Sequence, residues 1–284
     1  MRFACLLLAV LLTAAPAWAD SRLKVVATFS ILADLVREVG GEAVEVTTLV
    51  GPDSDAHTYQ PKPTDARTLA TAKVLVSNGL GFEGWIDRLA EASGFKGTRI
   101  VASAGTPADT DPHCWQDVAC TRRYIANIAA GLAKADPDNA SAYRERAAGY
   151  DRRLVALDDW IRREIAGVPE DRRQAITGHS SFRYFARAYD VRFSAPRGYS
   201  TDSEPTARDV ANLIRQVREQ KVKAVFVENM TNPALVAEIA RDSGAVVGPR
   251  LYSDALSKAD GPAATYETMM RHNVSALVAG MRKN

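Results

Sequence analysis

The chain has 284 residues, with 36 Lys and Arg against 34 Asp and Glu, which gives a formal net charge of +2. Because the charges nearly balance and no basic stripe is present, nucleic acid and anionic membranes are disfavoured as partners. Hydrophobic residues make up 46% of the chain and no low-complexity tract is present, which excludes a disordered protein and indicates a globular one.

The first 19 residues have the pattern of a secretory signal peptide. Arg2 is followed by the apolar run LLLAVLL at 6–12 and by the small-x-small sequence Ala-Trp-Ala at 17–19. The apolar run is shorter than the about 20 residues that a membrane anchor needs. Asp20 stands where a lipoprotein would carry a cysteine. We therefore expect cleavage near Ala19–Asp20 and export of a soluble protein to a bacterial periplasm.

Beyond residue 20, strand-like and helix-like patterns alternate along the chain. The remaining about 265 residues exceed what one hydrophobic core usually organises, which predicts two lobes. In the first part, residues 20–137, the alternation predicts a parallel sheet flanked by helices. The predicted strands are 23–29, 44–50, 72–77 and 99–102, and the predicted helices are 30–39, 63–72, 84–92 and 122–135.

A single long helical pattern separates this part from a second alternation. It covers 139–165 within a predicted linking helix of residues 138–167, and a helix of that length is about 40 Å long. Residues 168–284 form the second predicted lobe. Its predicted strands are 174–177, 191–194, 224–228 and 245–247, and its predicted helices are 181–189, 206–219, 233–243 and 262–281. The predicted fold is thus α/β, with two lobes, each a parallel sheet flanked by helices, joined by one long rigid helix.

Four potential metal ligands follow four of the apolar runs. His57, His113 and His179 each come after a strand-like run, and Asp254 follows the run at 245–252. Any one of these histidines is by default a surface-loop residue. In open α/β sheets, however, ligands bind beyond the carboxyl ends of the strands, where all four groups can converge. Three imidazoles and a carboxylate form a tetrahedral, nitrogen-rich set that suits zinc.

Other polar residues have simpler interpretations or compete with this set. Asp254 could cap a helix instead. Glu228 is a rival fourth ligand, or it accepts a hydrogen bond from a ligand histidine and orients it. His272 lies on the last predicted helix and is interpreted as structural. Asp111 and Asp117 are interpreted as turn or cap residues.

Two cysteines remain after removal of the signal peptide, Cys114 and Cys120. In an oxidising compartment, such a pair favours a disulfide that closes a small loop beside His113, rather than two free thiols. A thiolate of Cys114 as a metal ligand is a third, less favoured interpretation.

Several motifs resemble those of the zinc/manganese (ZnuA/TroA-like) solute-binding proteins of bacterial ABC importers. The resemblance covers essentially the whole mature chain. The predicted strand that ends at Glu228 also occupies the same place in the order of the family's motifs. The motifs are D-x-H-T-Y-x-P at 55–61, D-P-H-x-W-x-D at 111–117, H-x-x-F-x-Y-F-A at 179–186, E-P-T at 204–206 and Y-x-D at 252–254.

The resemblance implies two α/β lobes bridged by a rigid helix, with a metal ion buried between them. Carried over to this sequence, the ligands are His57, His113, His179 and Asp254. Because manganese-type members commonly have glutamate at the position of His179, the imidazole here favours zinc. The expected protein is a monomer and not an enzyme; it delivers Zn²⁺ to an ABC permease, with a periplasmic zinc chaperone as a further candidate partner.

Two features depart from the zinc-type pattern. The segment at 103–110, SAGTPADT, is short and has no histidine, whereas zinc importers often carry a long His-rich loop there. This departure argues against handover of metal through such a loop. Ala56 replaces the proline usual before the first ligand histidine.

Three alternative functions are open at the level of sequence. The first is a manganese or iron importer component. The second, from another class, is a periplasmic zinc hydrolase, which needs an open coordination position and a general base. Asp254 would fill that position, and the chain has no His-Glu-x-x-His motif. The third is an adhesion or interaction protein with a structural metal.

Overall fold

The computed structural model describes residues 22–106 and 110–284. The predicted signal peptide, residues 1–19, lies outside the described residues. The first sheet has four parallel strands in the order β2-β1-β3-β4. These strands are β1 (Leu23–Phe29), β2 (Val44–Val50), β3 (Val74–Ser77) and β4 (Thr98–Val101), and the helices that follow them are α1 (Ser30–Gly40), α2 (Pro63–Thr71), α3 (Ile86–Ser93) and α4 (Val118–Ala135).

The second sheet repeats this arrangement, with four parallel strands in the order β6-β5-β7-β8. The predicted α/β fold, with two parallel sheets flanked by helices, is confirmed. The strands are β5 (Gln174–Ile176), β6 (Arg192–Ser194), β7 (Ala224–Val225) and β8 (Val246–Val247), and the helices are α6 (Arg183–Tyr189), α7 (Ala207–Glu219), α8 (Ala234–Ser243) and α9 (Tyr266–Met281).

The long helix α5 (Ala140–Ala166) connects the two sheets over 27 residues. Its buried side chains recur every three or four positions, so one stripe of the helix faces the protein. The helix packs against α1 and α4 of the first part and against α6 and α9 of the second. The stripe consists of Tyr143, Ala147, Tyr150, Leu154, Leu157, Ile161 and Ile165.

Several predicted boundaries are wrong, in both parts of the chain. Helix α4 begins at Val118 rather than at 122. The strand predicted over 224–228 ends at Val225, and Glu228 then makes only a single bridge to Leu251. The last helix begins at Tyr266 rather than at 262, because Thr265 caps it by accepting from the backbone N–H of Thr268. Among the described residues, no helix is long and apolar enough to cross a membrane.

Candidate metal centre

The structure brings the four predicted ligand side chains together, with one donor atom of each within 4.8 Å of the others. Nε2 of His113 lies 3.3 Å from Nε2 of His57 and 3.3 Å from Nε2 of His179. Oδ2 of Asp254 lies 3.2 Å from Nε2 of His57 and 3.1 Å from Nε2 of His179. Four ligands at about 2.0 Å from a tetrahedral ion are about 3.3 Å apart, so these separations match such a site.

The loops at the carboxyl ends of both sheets supply these side chains. His57 lies between β2 and α2 and His113 between β4 and α4, while His179 follows β5 and Asp254 follows β8. The predicted convergence of strand ends is therefore found. The side chains are less close to the strands than the sequence suggested, because His57 is the seventh residue after Val50. The loops, rather than the strands, determine their exact positions.

The centre is largely sealed from water. His113, His179 and Asp254 are fully buried, while His57 is half-buried as a residue and its side chain, 4% exposed, lies at an opening beside Phe82. The Phe82 ring centroid lies 4.6 Å from that of His57. Aromatic walls therefore exclude water and strengthen electrostatic interactions inside the site.

Buried carboxylates stand behind two of the imidazoles. Oδ1 of Asp111 lies 2.7 Å from Nδ1 of His113, and Oε2 of Glu228 lies 2.6 Å from Nδ1 of His179. Glu228 also accepts a hydrogen bond from Ser181 Oγ at 3.1 Å. Such partners hold the Nδ1–H tautomer and leave Nε2 free for a metal ion. Glu228 is therefore placed behind a candidate ligand, and Asp111 contacts the ring in addition to its predicted turn role.

The charges of the centre shift the pKa values of its members. Burial lowers the pKa of the His113 imidazole, but Asp254 and Asp111 outweigh burial and raise it above the usual value. Burial likewise lowers the pKa of His179, but Glu228 and Asp254 raise it well above the usual value. Protons therefore compete with a metal ion for these nitrogens, and metal binding releases them.

The close ionic neighbours of the Asp254 carboxylate are the three imidazoles of the centre. Burial raises the pKa of its carboxyl, but His179 and His113 hold it well below the usual range. Neither carboxylate oxygen accepts a hydrogen bond from a described residue, and both are buried. Because buried charges are normally paired or bound to metals, this carboxylate suits a cation.

The sequence matches a known family over most of its length. Residues 25–280 match the family model of ZnuA, the periplasmic component A of zinc-uptake complexes. The chain belongs to this family. It is 35% identical over 279 residues to the manganese-binding lipoprotein MntA of Bacillus subtilis, covering 93% of this chain and 91% of that protein.

Other similar proteins are named after different metals. The iron-binding protein YfeA of Yersinia pestis is 27% identical over 274 residues, covering 93% of this chain and 88% of that protein. The structure of the periplasmic zinc binding protein TroA from Treponema pallidum has a TM-score of 0.87 and 29% identity, covering 92% of this chain and 99% of that chain. The protein is thus a metal-binding substrate-binding protein of an ABC importer and acts outside the cytoplasm.

Hydrogen bonds fix the His57 loop of this ZnuA-family protein. Trp85 Nε1 donates to the carbonyl of Ala56 at 2.9 Å, and the N–H of His57 donates to Asp55 Oδ1 at 2.9 Å. Oδ2 of Asp55 accepts from Thr201 Oγ1 at 2.6 Å, which ties the loop to the second part of the chain. Sequence reasoning missed these supports, since Asp55 and Thr201 are 146 positions apart.

A second clamp links the His113 loop to the Asp254 loop. Trp115 Nε1 and Gln116 Nε2 both donate to the carbonyl of Ser253, at 2.8 and 2.7 Å. The short turn that follows His113 therefore positions His113 directly, and it positions Asp254 through hydrogen bonds to the preceding residue, Ser253. The sequence indicated Trp115 only as a residue of the motif at 111–117, and nothing in it indicated a role for Gln116.

The remaining predicted residues lie outside the cluster. His272 places Nε2 2.8 Å from the carbonyl of Arg250 and packs its ring against Tyr252, as a structural histidine does. Asp117 caps α4 by accepting from the N–H of Ala119. Cys114 and Cys120 form a disulfide, as favoured from the sequence.

Proposed function

We propose that this protein binds one Zn²⁺ ion with His57, His113, His179 and Asp254 and delivers it to the permease of an ABC importer. The observation that carries the proposal is the set of four donor atoms at tetrahedral separations, three of them imidazole nitrogens. Zinc accepts nitrogen ligands and four-coordinate geometry readily, whereas manganese prefers oxygen ligands and higher coordination numbers.

Manganese is the second candidate, because the similar proteins MntA of Bacillus subtilis and of Halalkalibacterium halodurans are described as manganese-binding. Both oxygens of Asp254 face the cluster, with Oδ1 at 3.5 Å from His113 Nε2 and Oδ2 near the other two imidazoles. A bidentate carboxylate would raise the coordination number above four and suit a larger ion.

A zinc hydrolase is not supported by this geometry. Such an enzyme keeps one coordination position for water and a general base beside it. In the proposed site Asp254 would fill the fourth position, and Asp111 and Glu228 each lie against an imidazole Nδ1 on the side away from the centre.

Capture of the metal follows from the burial of the ligands. A hydrated ion meets His57 first, because His57 is the ligand that lines an opening formed with Phe82, Pro112 and Tyr199. It then exchanges its water for the three buried ligands. Because α5 packs against both parts of the chain, release requires the permease to displace the ligand loops rather than to open a wide hinge.

The organisation of the mature chain belongs to the same proposal. We assign residues 20–137 and 168–284 to two lobes and 138–167 to the linking helix. Several similar proteins are called lipoproteins, but Asp20 at the expected cleavage point favours a protein free in the periplasm over a lipid-anchored one. We further propose that it is a monomer. The permease is the proposed partner, and a zinc chaperone remains a further candidate, which would have to transfer metal by a route other than a His-rich loop at 103–110.

Competition titration of the purified mature protein tests the choice of metal. Zn²⁺ and Mn²⁺ are each titrated against a chelator of known affinity, and metal content is measured after dialysis. We expect one ion per chain and tighter binding of Zn²⁺. The matched control is His272→Gln, which alters a histidine outside the cluster and should bind as the unmodified protein does. Tighter binding of Mn²⁺ would assign the protein to manganese uptake.

A further inference from the structure

The disulfide between Cys114 and Cys120 lies directly behind the candidate metal centre. Cys114 follows His113 in the chain and begins the short turn Cys114–Gln116. Cys120 lies in the first turn of α4. The bond therefore fastens the turn that carries His113 to the start of a long, buried helix.

This turn controls two of the four candidate ligands. It holds His113 through the chain, and the side chains of Trp115 and Gln116 both bind the carbonyl that precedes Asp254. Other bonds also support the turn, since Thr121 Oγ1 and Tyr266 Oη donate to the carbonyl of Trp115. Loss of the disulfide should therefore loosen the centre without dismantling it.

The disulfide can be reached from outside the protein. A pocket of about 310 Å³, which we call the disulfide pocket, opens to solvent and is lined by both cysteines, Arg123, Tyr184 and Arg187. Cys114 is fully buried, whereas Cys120 is 9% exposed. Of the two cysteines, Cys120 is therefore the more accessible to an incoming group.

The charges around the disulfide pocket indicate which reactant it accepts. Two basic residues, Arg123 and Arg187, line the pocket, and Asp117 is its one acidic residue. The Arg187 guanidinium lies over the Tyr184 ring, 4.7 Å from its centroid. Oδ1 of the Asp117 carboxylate already accepts from the N–H of Ala119. The excess positive charge favours an anionic reactant over a neutral or cationic one.

We propose that the disulfide pocket is a site of thiol–disulfide exchange with an anionic thiol, and that exchange weakens metal binding. The thiolate of the reactant attacks Cys120 Sγ, the bond to Cys114 breaks, and Cys114 leaves as a thiolate that takes up a proton. A second thiol then attacks the mixed disulfide and frees Cys120. Two thiols are oxidised to one disulfide, and the protein disulfide is reduced.

The proposal rests on the metal site proposed above, and its first test separates the two. Zn²⁺ affinity is measured by chelator competition for the oxidised protein and for protein reduced with tris(2-carboxyethyl)phosphine, with both thiols verified by mass spectrometry. The affinity of the reduced protein should fall by roughly 10–100-fold, the range found when groups that orient metal ligands are lost. The double variant Cys114→Ala/Cys120→Ala should show the same weakened affinity and no response to the reductant.

The outcomes distinguish the two proposals. An oxidised protein that binds no metal overturns the proposed function. Reduced protein that binds within twofold of the oxidised protein overturns only the control by the disulfide. Circular dichroism melts of each form establish that the affinities compare folded proteins.

The second test concerns the disulfide pocket itself. Reduction rates are measured with glutathione, which is anionic, and with 2-mercaptoethanol, which is neutral. Arg123→Glu should slow the reaction with glutathione several-fold relative to that with 2-mercaptoethanol. Lys134→Glu makes the same charge change on α4 about 16 Å away and should leave the ratio unchanged. A ratio unaffected by Arg123→Glu, or a disulfide that neither thiol reduces in the folded protein, would contradict the proposal.

Discussion

At the scale of single residues, the carboxylates of the centre divide into two roles. Asp254 faces the three Nε2 atoms, whereas Asp111 and Glu228 lie against Nδ1 atoms on the far side of two imidazoles. In the proposed site, the first would contribute charge to the ion itself, and the other two would fix the rings that bind it.

Substitutions of Asp254 and Glu228 should separate these roles. Asp254→Ala removes a charged ligand and should weaken Zn²⁺ binding more than Glu228→Gln does. Glu228→Gln keeps the size of the side chain and should lose roughly 10–100-fold, as is typical of groups that orient a ligand. Chelator competition measures both. A larger loss for Glu228→Gln would make Glu228 the ligand and Asp254 the support.

The residue at position 179 should set the preference between metals. His179→Glu replaces nitrogen by oxygen, and the added change Glu228→Gln avoids two adjacent buried carboxylates. We expect the double variant to lower the ratio of Zn²⁺ to Mn²⁺ affinity at least about tenfold, because hard oxygen ligands suit manganese. Glu228→Gln alone is the matched control. An unchanged ratio would show that the imidazole does not select the metal.

At the scale of elements, a buried carboxylate joins two helices from opposite ends of the chain. Oδ2 of Asp34, on α1, accepts from the N–H of Tyr266 at the start of α9 at 2.7 Å. Burial raises the pKa of this carboxyl from 3.8 to about 6, although the bond to Tyr266 opposes the rise. The folded protein therefore binds this proton more tightly than the unfolded chain.

The raised pKa of Asp34 should be visible in the pH dependence of the protein's stability. Because the folded-state pKa is the higher one, the contribution of Asp34 to stability is greatest below pH 4 and is lost as pH rises through about 6. Asp34→Asn keeps an acceptor for the N–H of Tyr266 but cannot ionise, so it lacks this loss of stability. A pKa shift of about two units corresponds to a loss of about 3 kcal/mol. Denaturant unfolding measures the free energy of unfolding at pH 4 and pH 7. Between these two values of pH, the variant should gain stability relative to the unmodified protein.

A control isolates this effect from general acid sensitivity. Glu45→Gln neutralises an exposed carboxyl on β2, so its unfolding free energy should follow the unmodified protein at both values of pH. If the unfolding free energy of Asp34→Asn also follows that of the unmodified protein, ionisation of Asp34 does not destabilise the folded protein, which contradicts the prediction.

At the scale of the whole molecule, the two parallel sheets and the long helix were predictable from sequence. Apolar runs such as 23–29 and the unbroken helical pattern at 139–165 specify elements locally, and parallel sheets place polar loop residues at one edge. The short strand β7 was predicted too long, because the apolar residues before Glu228 continue in irregular backbone that one bridge joins to Leu251. The length of β7 depends on packing between distant segments.

The candidate site was predictable in part for the same reason. Histidine and aspartate at successive strand ends indicated His57, His113, His179 and Asp254. The supports of these residues were not predictable, because Gln116 meets Ser253 across 137 positions and Thr201 meets Asp55 across 146. Glutamine and threonine have no pattern that distinguishes such contacts from ordinary surface positions.

The packing of α5 against both parts of the chain predicts a small conformational change on metal binding. Solution X-ray scattering of metal-free and Zn²⁺-loaded protein should give nearly the same radius of gyration. Hydrogen exchange should slow mainly in the loops that carry His57 and His113, since those loops gain a shared ion. A clear decrease in radius on loading would instead indicate a wide hinge that α5 permits to bend.

The most direct test of the metal centre is crystallography of the loaded mature protein with anomalous diffraction at the zinc edge. We expect a single anomalous peak about 2.0–2.2 Å from Nε2 of His57, His113 and His179 and from a carboxylate oxygen of Asp254. A peak elsewhere, or one that lacks any of these four contacts, would contradict the site.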